Sequence, residues 1–178
     1  MTEPIALYPY DPQWPELFRR EREIIVQALG NSALMVEHMG STSIPDLPAK
    51  PIVDIIVLVA SLDDARRAIP SLEADGYSFW RDNPDKTKLY LAKGLPPAPR
   101  RTHNLHIHDD MDEVRRHLLF RDHLRNNPDA RAKYLALKRD LAVRFRDDRE
   151  AYSKQKTAFI DDVVLALGGP ARTFPFDP

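Results

Sequence analysis

The sequence predicts an α+β domain, in which a mixed β-sheet packed with helices precedes a C-terminal layer of about three helices. Two observations carry this prediction. Short apolar and β-branched runs separated by turn residues fill residues 33–108, whereas apolar residues recur at helical spacing over residues 111–168. The 178 residues are the length of about one domain, with a sheet region at about 9–110, the helical region at 111–168 and a tail at 169–178.

The first part of the sheet region contains one helix and two strands. An Asp-Pro pair predicts the start of a helix at residues 12–29, with Asp11 as its N-cap. Residues 33–39 predict a strand that ends in the small-residue turn 40–43. Residues 52–60, IVDIIVLVA, are almost all apolar or β-branched, which predicts a strand buried on both faces.

The second part of the sheet region predicts one helix and three strands. Ser61 is placed to cap a helix at residues 61–74. Residues 77–81 and 88–93 flank a turn and predict two strands. The last strand is predicted at residues 103–108, HNLHIH.

Three helices are predicted at the C-terminus. They cover residues 111–125, 129–146 and 152–167, with breaks at Asn-Asn-Pro and Gly-Gly-Pro. The tail that follows is expected to be loosely attached. Apolar side chains spaced three or four apart predict the inward faces of the last two helices, namely Tyr134, Leu137, Leu141, Phe145, Phe159, Ile160, Val163, Val164 and Leu167.

The composition restricts the kinds of partner and site. The sequence has no cysteine, which excludes a disulfide framework and a thiolate metal site. The net charge of −1, from 26 basic and 27 acidic residues, argues against a nucleic-acid partner. No apolar run reaches the ~20 residues of a membrane span and the N-terminus lacks a signal-peptide pattern, so we expect a cytoplasmic protein without membrane association.

The turn after the first strand and the strand that follows it carry the best candidate site. Glycine lets the backbone approach a phosphate, and hydroxyl and N–H groups donate to it, so we expect Gly40, Ser41 and Thr42 to bind phosphate. Asp54 is the charged residue of an otherwise apolar strand, where a carboxylate needs a partner or a metal ion. Asp54 is therefore a candidate ligand for a divalent metal such as Mg²⁺ or Mn²⁺.

Histidines offer further candidate metal ligands. His106 and His108 are two residues apart on a strand and therefore share a face. Imidazole binds Zn²⁺, Mn²⁺ and Fe²⁺, so His106 would complete a mixed site if it faced Asp54, and His38 beside the turn is another candidate. The alternative for all three histidines is hydrogen bonding within the protein.

Basic and aromatic side chains are candidates to contact a phosphorylated ligand. Lys50 precedes the strand of Asp54 and can act as a point charge on a phosphate. The C-terminal helices can supply a basic wall with tyrosine hydroxyls or rings in it. The alternative is an ion-paired, solvated helix face. The candidates on these helices are Arg121, Lys138, Lys156, Tyr134 and Tyr152.

The sequences MGS at 39–41 and DII at 54–56 together resemble the signature of the nucleotidyltransferase superfamily, which is related to DNA polymerase β. That signature is an apolar residue, Gly, then Gly or Ser, a variable spacer, and Asp, an apolar residue, and Asp or Glu. The resemblance implies a nucleotidyltransferase-like fold and metal-dependent transfer. Ile56 stands where working members carry the second carboxylate of a metal-binding pair, which argues against ordinary nucleotidyl transfer.

Longer stretches resemble the GrpB-like family over about residues 9–164. In chain order they are EHMGSTSIPDLPAKPIVDI, EADGY, HNLHIH, LLFRDHLRNNPDARAKYLALKRDLA and AYSKQKTAFI. The resemblance again implies the nucleotidyltransferase-like fold. It also implies a link to coenzyme A biosynthesis, because relatives occur fused to dephospho-coenzyme A kinase.

Three functions are compatible with these features. The first is a metal-dependent nucleotidyl- or phosphoryl-transferase acting on a small molecule, in which Asp54 holds the metal and Lys50 and Arg121 stabilise charge on the transferred group. The alternative, which Ile56 favours, is a non-catalytic module that binds a nucleotide or a coenzyme A precursor. The third is an interaction domain without a small-molecule site, which would leave the Gly-Ser turn and Asp54 unexplained.

Overall fold

The computed structural model describes residues 5–98 and 100–173, apart from the side chain of Arg149. The described residues form a five-stranded mixed sheet and six α-helices, so the α+β prediction is confirmed. The strands are β1 Ala33–Met39, β2 Val53–Val59, β3 Tyr77–Phe79, β4 Lys88–Lys93 and β5 His103–His108. The helices are α1 Trp14–Leu29, α2 Leu62–Arg66, α3 Ile69–Ala74, α4 Met111–Asn126, α5 Pro128–Arg144 and α6 Arg149–Ala166.

The strand order β1-β2-β5-β4-β3 places β2 and β5 inside the sheet. Strand β2 is antiparallel to β1 and parallel to β5, and β4 is antiparallel to both β5 and β3. The register pairs Asp54 of β2 with Met39 of β1 and with Asn104 of β5. Because side chains alternate along a strand, these three side chains lie on one face of the sheet.

The two faces of the sheet are covered by different helices. One face holds the main core, where Ile55 of β2 packs in a cluster with Ile25 of α1 and Leu72 of α3. The other face is covered by α4, since Val114 of that helix packs with Ile56. Helices α5 and α6 pack against α4 and complete the predicted three-helix layer. Within the described residues, every helix is too short or too polar to span a membrane.

The predicted single helix at 61–74 is wrong, because the segment forms the two helices α2 and α3. Pro70 lies in the first turn of α3. A proline has no N–H for the carbonyl four residues earlier and its ring clashes there, so the first helix cannot continue through it. Ser61 caps α2 as predicted, since the backbone N–H of Asp64 donates to its Oγ at 3.4 Å.

Both ends of the chain differ from the prediction in detail. Asp11 does not cap α1, because it accepts a hydrogen bond from the N–H of Gln13 at 2.8 Å in the turn before the helix. Leu167, predicted to face inward, is 41% exposed in the turn that follows α6. An aspartate side chain can accept a backbone hydrogen bond in a turn as well as at the start of a helix. The predicted start at residue 12 is therefore two residues before the observed start at Trp14.

The predicted loose attachment of the tail is wrong for its described part, residues 169–173. Arg172 forms an ion pair with Asp161 of α6, at 2.9 Å between Nη2 and Oδ1. The N–H of Thr173 donates to Glu113 of α4 at 3.0 Å. Residues beyond 173 lie outside the part of the chain that the structure describes. The segment after α6 is therefore held against two helices by charged groups.

Candidate functional site

The turn after β1 is folded directly over the carboxylate of Asp54. Gly40 has a φ of 69°, in the left-handed region where other residues are strained. A Cβ atom added to Gly40 would lie 2.5 Å from Asp54 Oδ2, so the missing side chain is what lets the turn approach the carboxylate. Ser43 closes the turn by donating from Oγ to the carbonyl of Gly40 at 2.6 Å. The structure thus brings the Gly-Ser turn and Asp54 together.

A chain of hydrogen bonds holds the other oxygen of Asp54. Asn104 donates from Nδ2 to Asp54 Oδ1 at 2.7 Å, and its own Oδ1 accepts from the hydroxyl of Tyr90 at 2.9 Å. Arg101 then donates to the Tyr90 hydroxyl at 3.3 Å. The chain fixes the orientation of the carboxylate. The sequence analysis missed these partners, although alternation along β5 places Asn104 on the same face as His106.

The two hydroxyls of the turn have different surroundings. Burial raises the pKa of Tyr134 on α5 to about 12, and the nearby Ser41 side chain opposes this shift. Thr42 donates from Oγ1 to the carbonyl of Ile52 at 3.3 Å and lies 3.0 Å from His38 Nε2. The Thr42 hydroxyl is therefore engaged within the protein, and Ser41 is the hydroxyl that α5 shares with the turn.

His38 lies on the opposite face of the sheet from Asp54. It pairs with Ile55, a residue of the main core, and its ring stacks on that of Phe18 with centroids 4.9 Å apart. Burial first, and then nearby arginines, lower its pKa from 6.5 to about 3. A neutral imidazole behind the sheet cannot share a metal ion with Asp54. The structure therefore separates His38 from the other predicted metal ligands.

Acid is expected to destabilise the protein through His38. Its pKa is about 3 in the folded state against 6.5 ordinarily, so between these values the unfolded chain binds more protons and stability falls as the pH drops. Urea unfolding should show a loss of about 1–2 kcal/mol between pH 6.5 and about 5, above the range in which ordinary carboxylates titrate. His38→Gln, which keeps a donor for Thr42, should show less than half of this loss. An unchanged loss in the variant would contradict the assignment.

His106 faces the cavity two residues further along β5 than Asn104, the partner of Asp54. It pairs with Ile56 of β2 and with Tyr90 of β4, and its ring centroid lies 5.0 Å from that of Tyr90. His108 lies further along the same face of β5, beyond the cavity. The predicted shared face of the two histidines is thus present, but the neighbour of His106 on β2 is an apolar side chain.

Three lysines of the cavity lie close together, Lys138 and Lys156 on the helical side and Lys50 in the loop before β2. Lys138 donates from Nζ to the carbonyl of Pro48 at 2.6 Å. The Nζ atoms of Lys50 and Lys156 lie 5.5 Å and 4.4 Å from the ring centroid of Tyr152. Burial, and then the charges of Lys156 and Lys50, lower the pKa of Lys138 to about 7. An anion between these groups would stabilise their protonated forms.

Arg121 lines the cavity, but its guanidinium is bound to protein groups. It donates to the Glu37 carboxylate at 2.7 Å, to the backbone carbonyl of His38 at 3.0 Å, and to the Asp122 carboxylate at 2.7 Å. One turn later on α4, Arg125 donates from Nε and Nη2 to the carbonyl of Ser43 at 2.9 Å and 2.8 Å. Helix α4 thus anchors β1 and the turn. Arg121, predicted to stabilise charge on a transferred group, has a structural role in this anchoring.

Many of these residues line one cavity of about 200 Å³ between the sheet and helices α4, α5 and α6. Of the described residues that line it, six are lysine or arginine and one, Asp54, is acidic. The sequence analysis missed Arg101, in a loop, and Arg172, in the predicted tail. The basic lining residues are Lys50, Arg101, Arg121, Lys138, Lys156 and Arg172. The other predicted residues in the lining are Gly40, Ser41, Thr42, His106, Tyr134 and Tyr152.

The donors around Asp54 do not fit the paired-carboxylate metal site of the superfamily signature. Ile56 occupies the second position, and the neighbour of Asp54 on β5 is the amide of Asn104. In the part of the chain that the structure describes, no three His, Cys, Asp or Glu side chains are grouped as a metal site requires. The predicted ligands that lie outside the cavity are His38 and His108.

A sequence profile of the family described as GrpB protein matches residues 4–165. The chain belongs to the GrpB family. UPF0157 protein PA4798 of Pseudomonas aeruginosa is 44% identical over 168 residues, which cover 94% of this chain and 67% of that protein. A protein of Mycolicibacterium paratuberculosis named dephospho-CoA kinase is 34% identical over 182 residues, which cover 89% of this chain but 45% of that protein.

Solved structures confirm the fold predicted from the resemblance. The crystal structure of conserved protein GrpB from Enterococcus faecalis is 37% identical and superposes with a TM-score of 0.82, over 90% of this chain and 96% of that chain. The structure of Cid1 in complex with its short product ApU gives a TM-score of 0.53 at 13% identity, over 74% of this chain and 42% of that chain. The second likeness concerns the fold alone, which is nucleotidyltransferase-like.

Proposed function

We propose that the cavity binds a phosphorylated small molecule of the nucleotide or coenzyme A-precursor class. The observation that carries this proposal is the lining, in which six basic residues stand against one acid among the described residues, and two of the six, Arg121 and Arg172, form ion pairs with carboxylates outside the lining. An enclosed surface with this excess of positive charge attracts anions. Phosphate suits such a surface, because lysine ammonium groups and exposed backbone N–H groups bind it together.

The phosphate group would lie between the Gly-Ser turn and the three lysines. Ser41 borders this space from the sheet side, and Lys50 and Lys156 border it next to the ring of Tyr152. Burial, and then repulsion from Lys156 and Lys50, lower the pKa of Lys138, and a bound anion would oppose both effects. Tyr152 offers the ligand an aromatic surface next to the charges.

Group transfer is a second candidate function, and it is favoured by Asp54 beneath the Gly-Ser turn and by the nucleotidyltransferase-like fold. In this candidate Asp54 would orient the attacking hydroxyl, and Lys50 would stabilise charge on the nucleotidyl or phosphoryl group. If the protein catalyses group transfer, the hypothesis for its cofactor is Mg²⁺, Mn²⁺ or Zn²⁺ bound beside Asp54 and His106. Turnover separates this candidate from a binding module.

Thermal unfolding against a ligand panel tests the proposal. A ligand that binds the native state at about 100 times its Kd stabilises the protein by about 2.7 kcal/mol. The panel contains ATP, UTP, coenzyme A and dephospho-coenzyme A, each with Mg²⁺, Mn²⁺, Zn²⁺ or EDTA, because one relative carries the name dephospho-CoA kinase. A midpoint that rises with none of them would overturn the proposal. Conversion of a stabilising nucleotide to product would favour group transfer.

Lys138→Met is expected to weaken ligand binding by about tenfold or more, because the variant removes a charge from the centre of the lysine cluster. The unliganded variant should stay within about 1 kcal/mol of the parent, since a flexible apolar side chain replaces a buried ammonium group. Calorimetric titration and urea unfolding measure the two effects. Lys133→Met, at an exposed position of the same helix, is the matched control. Equal affinities of the two variants would contradict a role for Lys138.

A further inference from the structure

The corner of the cavity around Asp54 is poor in ligands for a divalent cation. One carboxylate oxygen accepts from Asn104 at 2.7 Å, and the other faces Gly40 so closely that a Cβ there would lie 2.5 Å away. Ile56, the next residue on the same face of β2, is fully buried in an apolar cluster. Mg²⁺ in phosphate sites normally takes its protein ligands from carboxylates with free oxygens. This corner offers a single carboxylate, and one of its oxygens already accepts a hydrogen bond from Asn104.

The opposite wall of the cavity is rich in fixed positive charge. Lys138 is held by the Pro48 carbonyl, and the Nζ atoms of Lys50 and Lys156 both lie near the ring of Tyr152. The charges of Lys50 and Lys156 both act on Lys138, so the three ammonium groups lie within electrostatic reach of one another. A divalent cation brought to this wall would be repelled, whereas a chain of phosphates would be attracted.

We infer that the cavity recognises a phosphate chain as the metal-free anion, with the ammonium groups of Lys50, Lys138 and Lys156 supplying the positive charge that divalent cations supply in a two-metal site. This inference rests on the proposed function and narrows it to ligands with a di- or triphosphate. The role of Asp54 is then structural: it is oriented by Asn104, and Gly40 of the turn packs closely against it. Its negative charge weakens binding of the anionic ligand.

Calorimetric titration with inorganic tripolyphosphate and with ATP tests the inference in two buffers, one with EDTA and one with Mg²⁺ in excess over the ligand. We expect binding in EDTA, and a Kd about tenfold weaker in Mg²⁺, because the cation neutralises the phosphate charges that the lysines bind. Binding that requires Mg²⁺ would overturn the inference and leave the proposed function standing. Binding of neither probe in either buffer would overturn the inference but not the proposed function, which coenzyme A or dephospho-coenzyme A in the thermal panel can still support.

Asp54→Asn gives the sharpest separation of the two modes. The amide keeps the shape of the carboxylate and a hydrogen bond to Asn104, but it removes a negative charge. In EDTA the variant is expected to bind tripolyphosphate as tightly as the parent or up to about tenfold more tightly. A loss of about tenfold or more in EDTA would show that the carboxylate itself contributes to binding of the metal-free anion, and would overturn the inference.

Substitutions of the half-buried lysines complete the test. Lys50→Met and Lys156→Met should each weaken tripolyphosphate binding in EDTA by about tenfold, and each should flatten its dependence on salt concentration. Lys154→Met, at an exposed position of α6, is the control for Lys156→Met and should bind like the parent. Unchanged affinity in both cavity variants, with folding verified by circular dichroism, would place the anion elsewhere and overturn the inference.

Discussion

Ile56→Asp is expected to lower the free energy of unfolding by about 3–5 kcal/mol. Ile56 is fully buried and packs with Met39, Leu58 and Val114. A carboxylate in this apolar cluster would lose its hydration, and the smaller side chain would leave part of the space unfilled. Glu37 pairs with this position across β1 and β2, so the new charge would also stand beside a like charge.

Urea unfolding of Ile56→Asp beside Ile56→Val measures this effect, since the valine variant should lose about 0.5–1.5 kcal/mol from the missing methylene alone. Similar stability of the two variants would show that this face of β2 tolerates a second carboxylate. Stabilisation of the aspartate variant by Mg²⁺ would then support a paired-carboxylate site. The expected large loss means instead that the neighbours of Ile56 have adapted to an apolar residue, and that one substitution does not restore such a site.

Gly40→Ala is expected to cost about 2–4 kcal/mol of stability and to abolish binding in the cavity. Part of the cost is backbone strain, because alanine at a φ of 69° is unfavourable. The larger part is the contact of the new Cβ with Asp54 Oδ2 at 2.5 Å. Either the turn or the carboxylate must move, and both border the proposed phosphate position. The loss of binding should therefore exceed what the loss of stability explains.

Gly30→Ala is a matched control for that experiment. Gly30 has a φ of 55°, yet a Cβ there would meet no atom within 4 Å. The control shares the backbone strain without the contact, so the difference in unfolding free energy between the two variants isolates the approach of the turn to Asp54. Equal losses in the two variants, with ligand binding retained in Gly40→Ala, would contradict the role assigned to that approach.

Much of the fold could be predicted because apolar runs and turn residues report local structure directly. The segments predicted at 33–39, 88–93 and 103–108 are strands with those bounds. The helix predicted at 61–74 failed because its apolar spacing persists across Pro70, which breaks the backbone hydrogen bonding without interrupting the pattern. Spacing reports which side chains can share a face, and it does not report whether the backbone between them is continuous.

Less of the candidate site could be predicted, because it depends on the register between strands. The alternation of side chains separates His38 from Met39 and joins Asn104 to His106, but it does not say which face Asp54 occupies. The pairing of Asp54 with Asn104 follows from how β2 and β5 align, which neither strand encodes alone. The prediction named His106 as the side chain on β5 that would face Asp54, because histidine is a common metal ligand. The side chain that contacts the Asp54 carboxylate is that of Asn104.

The two walls of the cavity come from separate stretches of the chain, residues 39–106 on the sheet side and residues 117–172 on the helical side. During synthesis the sheet region leaves the ribosome first. A nascent chain that has completed β5 contains Asp54 and the glycine turn, but it lacks the arginines of α4 that anchor this turn and it lacks Lys138 and Lys156. A ligand of the class proposed above would therefore meet the complete cavity only after α6 has emerged, too late to assist folding of the sheet and in time to retain the last helices once they dock.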